Sequence, residues 1–187
     1  MLSPAQIELL LSQRSISERQ PWASNDELKI QDFYQTVCAS VCRDTASLSR
    51  IEWRHYSSGY ASFIDAWFYK PERRFGSSGI FRKWSHYKGL IVLLSRLSPH
   101  FVFMEGEKHW TTTGGSSYMP ESAMLDRLPT PGVAALAAEV QAILESHGLV
   151  RAFKDDLSDS LPLDIEVPTI LAEPPYTQYD ALFYWED

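Results

Sequence analysis

The sequence predicts an α+β fold, with a mainly antiparallel sheet and helices packed on one face. Three observations support this prediction: helical patterns open the chain, four strand-like segments follow, and a further helix precedes one or two extended segments. Because successive strands usually pair, the four strands should form a meander, with one or two C-terminal strands added. A chain of 187 residues is long enough to bury a core, and we expect one domain over residues 1–187.

The predicted helices begin at capping signals. A serine followed by a proline opens a first helix near residues 4–14. Ser24 or Asn25 can cap a second helix that continues to about Asp44, with apolar residues at helical spacing. A third helix, over residues 131–147, has a threonine cap, a proline at its first position and a regular apolar stripe.

The predicted strands show a twofold or continuous apolar pattern. A polar, glycine-containing loop is expected at 111–115, and a short acidic helix or turn at 154–161. Prolines divide the rest of the C-terminal region into short pieces. The four meander strands fall within residues 50–56, 60–69, 90–94 and 101–104, and the C-terminal extended segments within 149–153 and 163–167.

Charge is distributed unevenly along the chain. Residues 1–110 hold 14 Lys and Arg against 11 Asp and Glu, a balance of +3, whereas residues 111–187 hold 3 against 13, a balance of −10. An acidic surface attracts basic partners and repels nucleic acid and anionic lipid. We therefore predict a basic protein partner, with neither nucleic acid nor membrane as a partner.

Composition and cysteine usage predict a cytoplasmic protein. The N-terminus lacks the basic region and apolar core of a secretory signal, and no window reaches the roughly 18 apolar residues of a membrane span. Cys38 and Cys42 lie four residues apart in a predicted helix, where a disulfide is disfavoured. Both are expected to be reduced, small apolar side chains.

No motif commits the chain to a catalytic chemistry, so we predict neither an enzyme nor a cofactor. The alternative is a small enzyme with a site near residues 105–117. Glu105, Glu107 and His109 share one face of a strand and, with His100 or His55, would offer oxygen and imidazole ligands to a metal. Charged residues at a strand end are more often simply solvated, and we predict no metal site.

A second alternative rests on residues 70–88, where basic and aromatic side chains alternate in a loop-rich segment. This mixture can hold single-stranded nucleic acid through phosphate contacts and base stacking. The sequence pI near 5.2 and the absence of an RNA-binding motif argue against it. Pairing with the acidic C-terminal region, or contact with a protein, explains the segment equally well.

The acidic C-terminal region is the predicted partner-binding surface. Aromatic side chains would supply buried contact area, and carboxylates would supply association rate and selectivity. The predicted contact residues are Asp155, Asp156, Asp159, Asp164, Glu166, Glu173, Tyr176, Tyr179, Asp180, Trp185, Glu186 and Asp187.

In its size, its lack of catalytic motifs and its acidic, aromatic end from Tyr176 to Asp187, the chain resembles the immunity proteins of bacterial toxin systems. Those are small, often acidic α+β proteins that neutralise a cognate toxin by binding it. The resemblance implies a non-catalytic inhibitor of a toxin or enzyme. It carries no family motif, so it assigns no individual residue.

Overall fold

A computed structural model describes residues 2–57, 59–75, 87–111, 114–116 and 119–186. Side chains are described for all of these except Arg73, residues 109–111 and residues 114–116. Statements below about what the structure contains refer to these residues.

A five-stranded sheet forms the centre of the fold. Its strands are β1 (Leu48–Glu52), β3 (Phe63–Tyr69), β4 (Lys88–Ser95), β5 (His100–Glu107) and β8 (Val150–Arg151), in the order β1-β3-β4-β5-β8. The first four pair antiparallel, and β8 pairs parallel to β5. This confirms the predicted α+β class, the antiparallel meander and one added C-terminal strand.

The two long helices pack on one face of the sheet, as the sequence predicts. They are α2 (Glu27–Thr45) and α3 (Pro131–Ser146). Their buried side chains join one core cluster with the residues of β3, β4 and β5 that point to the same face, among them Phe68, Val92 and Phe103. Asp26 caps α2 through the N–H groups of Leu28 and Lys29, one position beyond the predicted caps.

The opposite face of the sheet is covered as well. A second core cluster on this face contains side chains from α1 (Pro4–Leu11), α4 (Lys154–Leu157) and α5 (Gln178–Leu182). It also contains the buried Phe183 and Tyr184, which follow α5. A small antiparallel pair, β2 (Tyr60–Ala61) with β9 (Trp185–Glu186), attaches the chain end to the sheet region. The sequence predicted helices on one face only, and it missed both α5 and β9.

Two further segments differ from the sequence prediction. Residues 163–167 form no strand, because Pro162 and Pro168 bound them and the N–H of Ile165 bonds to the Pro162 carbonyl in a turn. Around the predicted loop at 111–115, β6 (His109–Thr111) and β7 (Gly114–Ser116) form a small hairpin. Residues 112 and 113 lie outside the described part of the chain.

Candidate functional site

The C-terminal acidic segment, residues 155–187, has nine Asp and Glu and no Lys or Arg. Six of the nine carboxylates are exposed to solvent, so the charge asymmetry of the sequence becomes a surface property. These exposed acids are Asp155, Asp156, Asp159, Asp164, Glu166 and Glu173.

Large apolar side chains are exposed in the same region. Of the seven exposed large hydrophobic residues among the described side chains, four lie between positions 150 and 170: Val150, Phe153, Leu163 and Ile170. Leu163 is 92% exposed and Phe153 is 48% exposed. Scattered apolar residues are normal on a protein surface, whereas a concentration of them among carboxylates is typical of an interaction surface.

Three predicted contact residues are instead part of the buried interior. Tyr176 and Tyr179 belong to the core cluster, and the Tyr179 hydroxyl donates to the Pro120 carbonyl at 2.7 Å. Asp180 accepts hydrogen bonds at the start of α5, from the N–H and the hydroxyl of Thr177 at 2.7 and 2.8 Å. The prediction that these three residues contact a partner is corrected: their side chains stabilise the fold.

The end of the chain is half-buried. The Trp185 ring lies 4.4 Å from the Tyr56 ring, centroid to centroid, and the Glu186 carboxylate accepts a hydrogen bond from the Gln13 side chain at 3.4 Å. Asp187 lies outside the described residues. The exposed part of the predicted surface therefore consists mainly of residues 155–173.

Three basic residues of segment 70–88 have described side chains, and all three pair elsewhere than with the acidic C-terminal segment. Lys70 is buried and lies 3.8 Å from Glu139 on α3, Arg74 pairs with Glu72, and Lys88 lies 3.6 Å from Glu105. Phe81, Arg82, Lys83 and Trp84, on which the nucleic-acid alternative also rests, lie outside the described residues.

Glu105, the first ligand of the alternative metal site, has a structural role. Its carboxylate accepts hydrogen bonds from the N–H and the hydroxyl of Thr130, at 2.9 and 2.7 Å, where α3 begins. His55 bonds to Glu27 at 2.8 Å, and His100 to the Ser98 hydroxyl at 3.0 Å. The side chain of His109 is outside the described set. Among the side chains that are described, no group of three His, Cys, Asp or Glu residues is arranged to hold a metal ion.

A left-handed turn brings together two charged networks that the sequence did not reveal. His55, Tyr56 and Ser57 have φ angles of 51°, 56° and 64°, a conformation that non-glycine residues rarely adopt. The turn directs the His55 ring to Glu27, which also pairs with the buried Arg96 at 3.0 Å. This first network ties the start of α2 to the end of β4.

The second network is buried beneath the C-terminal segment. The Tyr56 hydroxyl donates to Asp65 at 2.9 Å, and the Lys108 ammonium lies 2.8 Å from the same carboxylate oxygen. Burial, together with the charge of Asp65, raises the pKa of Tyr56 above its ordinary value, so the phenol stays protonated and acts as a donor. Because its charges are paired, this network is suited to holding the turn against the sheet.

A pocket of about 380 Å³ lies where α1, the start of β5, β8, α4 and α5 meet. That volume is within the range of small-molecule binding pockets. Leu157 and Leu182 contribute apolar surface, while His100, Asp156 and Gln178 contribute polar groups. Apart from the carboxylate of Asp156, no feature of the sequence predicted this pocket, because its lining residues come from segments that are far apart in the chain.

No family model, no curated protein and no solved structure matches this chain. The resemblance to immunity proteins therefore stays a prediction from size, composition and the C-terminal residues. Within the parts of the chain that the structure describes, no helix has both the length and the apolar character needed to cross a bilayer.

Proposed function

We propose that this protein is a non-catalytic inhibitor that binds a cognate toxin or enzyme with a basic surface and neutralises it. One observation supports the proposal above all: exposed carboxylates and exposed large apolar side chains occur together in residues 150–173. This is the combination that a tight, selective protein contact requires.

The two kinds of side chain have different effects on binding. Apolar side chains such as Phe153 and Leu163 lose water-exposed area when a partner covers them, which stabilises the complex. The surrounding carboxylates accelerate encounter with a basic surface and disfavour acidic competitors. The resemblance to bacterial immunity proteins points to the same class of function.

The proposed contact surface is narrower than the sequence suggested. It comprises the six exposed acids and the four exposed apolar residues, without the buried Tyr176, Tyr179 and Asp180. The same acidic surface disfavours nucleic acid as the partner, since phosphates are repelled by carboxylates.

Affinity capture with paired charge variants tests this function. The wild-type protein, the triple variant Asp155→Asn, Asp156→Asn, Asp159→Asn and a control variant are each used as bait in extract of the native cell. The control, Glu8→Gln, Glu18→Gln, Asp32→Asn, also removes three exposed negative charges, but outside the C-terminal segment. The two variants therefore have the same net charge, and circular dichroism spectra of the three baits check that they fold alike.

The expected result is one basic protein retained in roughly equimolar amount by the wild type and the control, and released from the C-terminal variant at lower salt. The purified partner should also lose its own activity when the wild-type protein is added. Retention of no protein by the wild type, equal loss of binding in both variants, or a bound partner that keeps full activity would contradict the proposal.

A further inference from the structure

The pocket between α1 and α5 borders the proposed contact surface. Asp156 belongs both to the exposed acids and to the lining of the pocket, whereas its neighbour Asp155 does not line it. A group that a partner inserts here would therefore remain in contact with the acidic surface.

One wall of the pocket is apolar. Ile16, Leu157 and Leu182 line it and belong to, or pack against, the core cluster below the sheet. An extended aliphatic chain placed along this wall would exclude water from apolar surface on both sides. A compact inorganic ion would gain nothing from it.

The polar groups of the pocket favour a ligand that carries a positive charge and also has hydrogen-bond acceptors. One oxygen of Asp156 accepts the Phe153 N–H at 3.1 Å, and a carboxylate has further acceptor capacity for a ligand. The side-chain oxygens of Gln6 and Gln178 accept the N–H groups of Ser3 and Leu2, at 2.9 and 2.8 Å. Each of these amides thus keeps its NH₂ group as a donor, which suits a peptide carbonyl.

Arg151 and His100 also line the pocket, and the charge of Arg151 is compensated by Asp126, which does not line it. The Arg151 guanidinium pairs with Asp126 and lies 3.7 Å from the centroid of the Phe103 ring, which belongs to the core cluster on the other face of the sheet. Its Nε and Nη1 atoms are buried from solvent and have no hydrogen-bond partner among the described residues. Burial lowers the pKa of His100 below 6.5, so its imidazole is uncharged at neutral pH.

We propose that this pocket receives a lysine or arginine side chain of the protein partner, with the aliphatic stem against Leu157 and Leu182 and the charged head at Asp156. Basic side chains commonly bury their stems along apolar surface while the charged end keeps polar contacts. That the basic side chain belongs to a protein partner rests on the proposed function. That the pocket binds a basic side chain rests only on the groups that line it.

Titration with a small probe tests the pocket separately from the partner. Nα-acetyl-arginine amide is added to the ¹⁵N-labelled full-length protein, and the side-chain NH₂ signals of Gln6 and Gln178 are followed by NMR. Nα-acetyl-citrulline amide, which has nearly the same shape but no charge, is the matched ligand control. The variant Asp156→Asn keeps a carbonyl acceptor for Phe153, and Asp155→Asn removes an equal charge one residue away.

The arginine probe should shift both glutamine signals in a saturable way, and the citrulline probe should bind more weakly. Since a hydrogen bond to a charged group contributes more than a neutral one, Asp156→Asn should weaken arginine binding roughly tenfold, whereas Asp155→Asn should change it less than about twofold. Equal binding of the two probes, equal effects of the two variants, or no saturable shift would overturn the proposal.

The two proposals fail in distinguishable ways. If the capture experiment succeeds but the arginine probe does not bind, the partner uses the exposed surface without the pocket. If the probe binds through Asp156 but no partner is retained, the pocket recognises basic side chains and the proposed inhibitor function is wrong.

Discussion

Lys108 and Asp65 form an ion pair in the interior, with the ammonium 2.8 Å from the carboxylate and both side chains almost completely buried. Asp65 lies on β3 and Lys108 directly after β5, 43 positions apart in the sequence. Tyr56 donates to the same carboxylate, so three segments of the chain meet at one charged point.

Removal of the Asp65 carboxylate should leave a buried, unpaired ammonium. Asp65→Ala is expected to lower the free energy of unfolding by about 3 kcal/mol or more, measured by urea denaturation. The double variant Asp65→Leu, Lys108→Met removes both charges. Its loss of unfolding free energy should be much smaller than the sum of the losses of Asp65→Leu and Lys108→Met measured singly. If the loss of the double variant equals the sum of the losses of Asp65→Leu and Lys108→Met measured singly, the two charges do not interact energetically.

Glu105 should stabilise the start of α3 through Thr130. Glu105→Ala leaves the Thr130 N–H and hydroxyl without their acceptor and is expected to lower the free energy of unfolding by about 1–3 kcal/mol. Thr130→Val keeps the hydrogen bond from the backbone N–H to Glu105. This variant should therefore lose less unfolding free energy than Glu105→Ala. Urea denaturation measures both, and a larger loss for Thr130→Val would contradict the assignment.

The acids of the C-terminal segment should separate into structural and surface groups. Asp180→Ala removes the acceptor at the start of α5 and is expected to lower the free energy of unfolding by about 1 kcal/mol. Asp164→Ala changes an exposed carboxylate and should stay within about 0.5 kcal/mol of the wild type. Thermal unfolding compares the two, and equal losses would contradict the burial difference.

His100 should make stability depend on pH in a known direction. Burial lowers its pKa in the folded state below 6.5, so the unfolded chain takes up the proton first as the pH falls. Stability should therefore decrease with falling pH from about 6.5 down to the lowered pKa, because the unfolded state binds more protons there. Denaturation curves of wild type and His100→Gln between pH 7.5 and about 5 measure this effect.

His100→Gln should show a smaller decrease in the free energy of unfolding than the wild type over that pH interval. An NMR titration of the His100 ring gives an independent check, with a midpoint expected below 6.5. A midpoint above that value would contradict the assigned burial.

The two cysteines should differ in reactivity. Cys38 is buried, and burial raises the pKa of its thiol, whereas Cys42 is only half-buried. A thiol reagent such as Ellman's reagent should therefore label Cys42 in the folded protein and Cys38 only on unfolding. In Cys42→Ala, labelling of the native protein should nearly disappear; rapid labelling of that variant would show that Cys38 is accessible.

Local patterns predicted much of the fold. The capping signals located α1 and α3, with α1 ending three residues before its predicted boundary, and the continuous apolar run at 90–94 is a strand buried on both faces. The prediction failed where structure depends on distant contacts. α5 has five residues, too few for a helical pattern, and β9 exists through pairing with β2, more than 120 positions away.

The sequence by itself determined the fold class and the concentration of acidic residues at the C-terminal end, because periodicity and charge are properties of the chain. Only the tertiary structure decided which acidic, aromatic and apolar side chains of the C-terminal region face solvent and which are buried. The Tyr184 hydroxyl donates to the Leu10 carbonyl across 174 positions, and Tyr179 reaches Pro120 across 59. These contacts bury Tyr179 and Tyr184, whereas Leu163 and Phe153 stay exposed. The pocket likewise exists only in the folded chain, because its lining residues come from several segments. Burial depends on which other parts of the chain lie nearby.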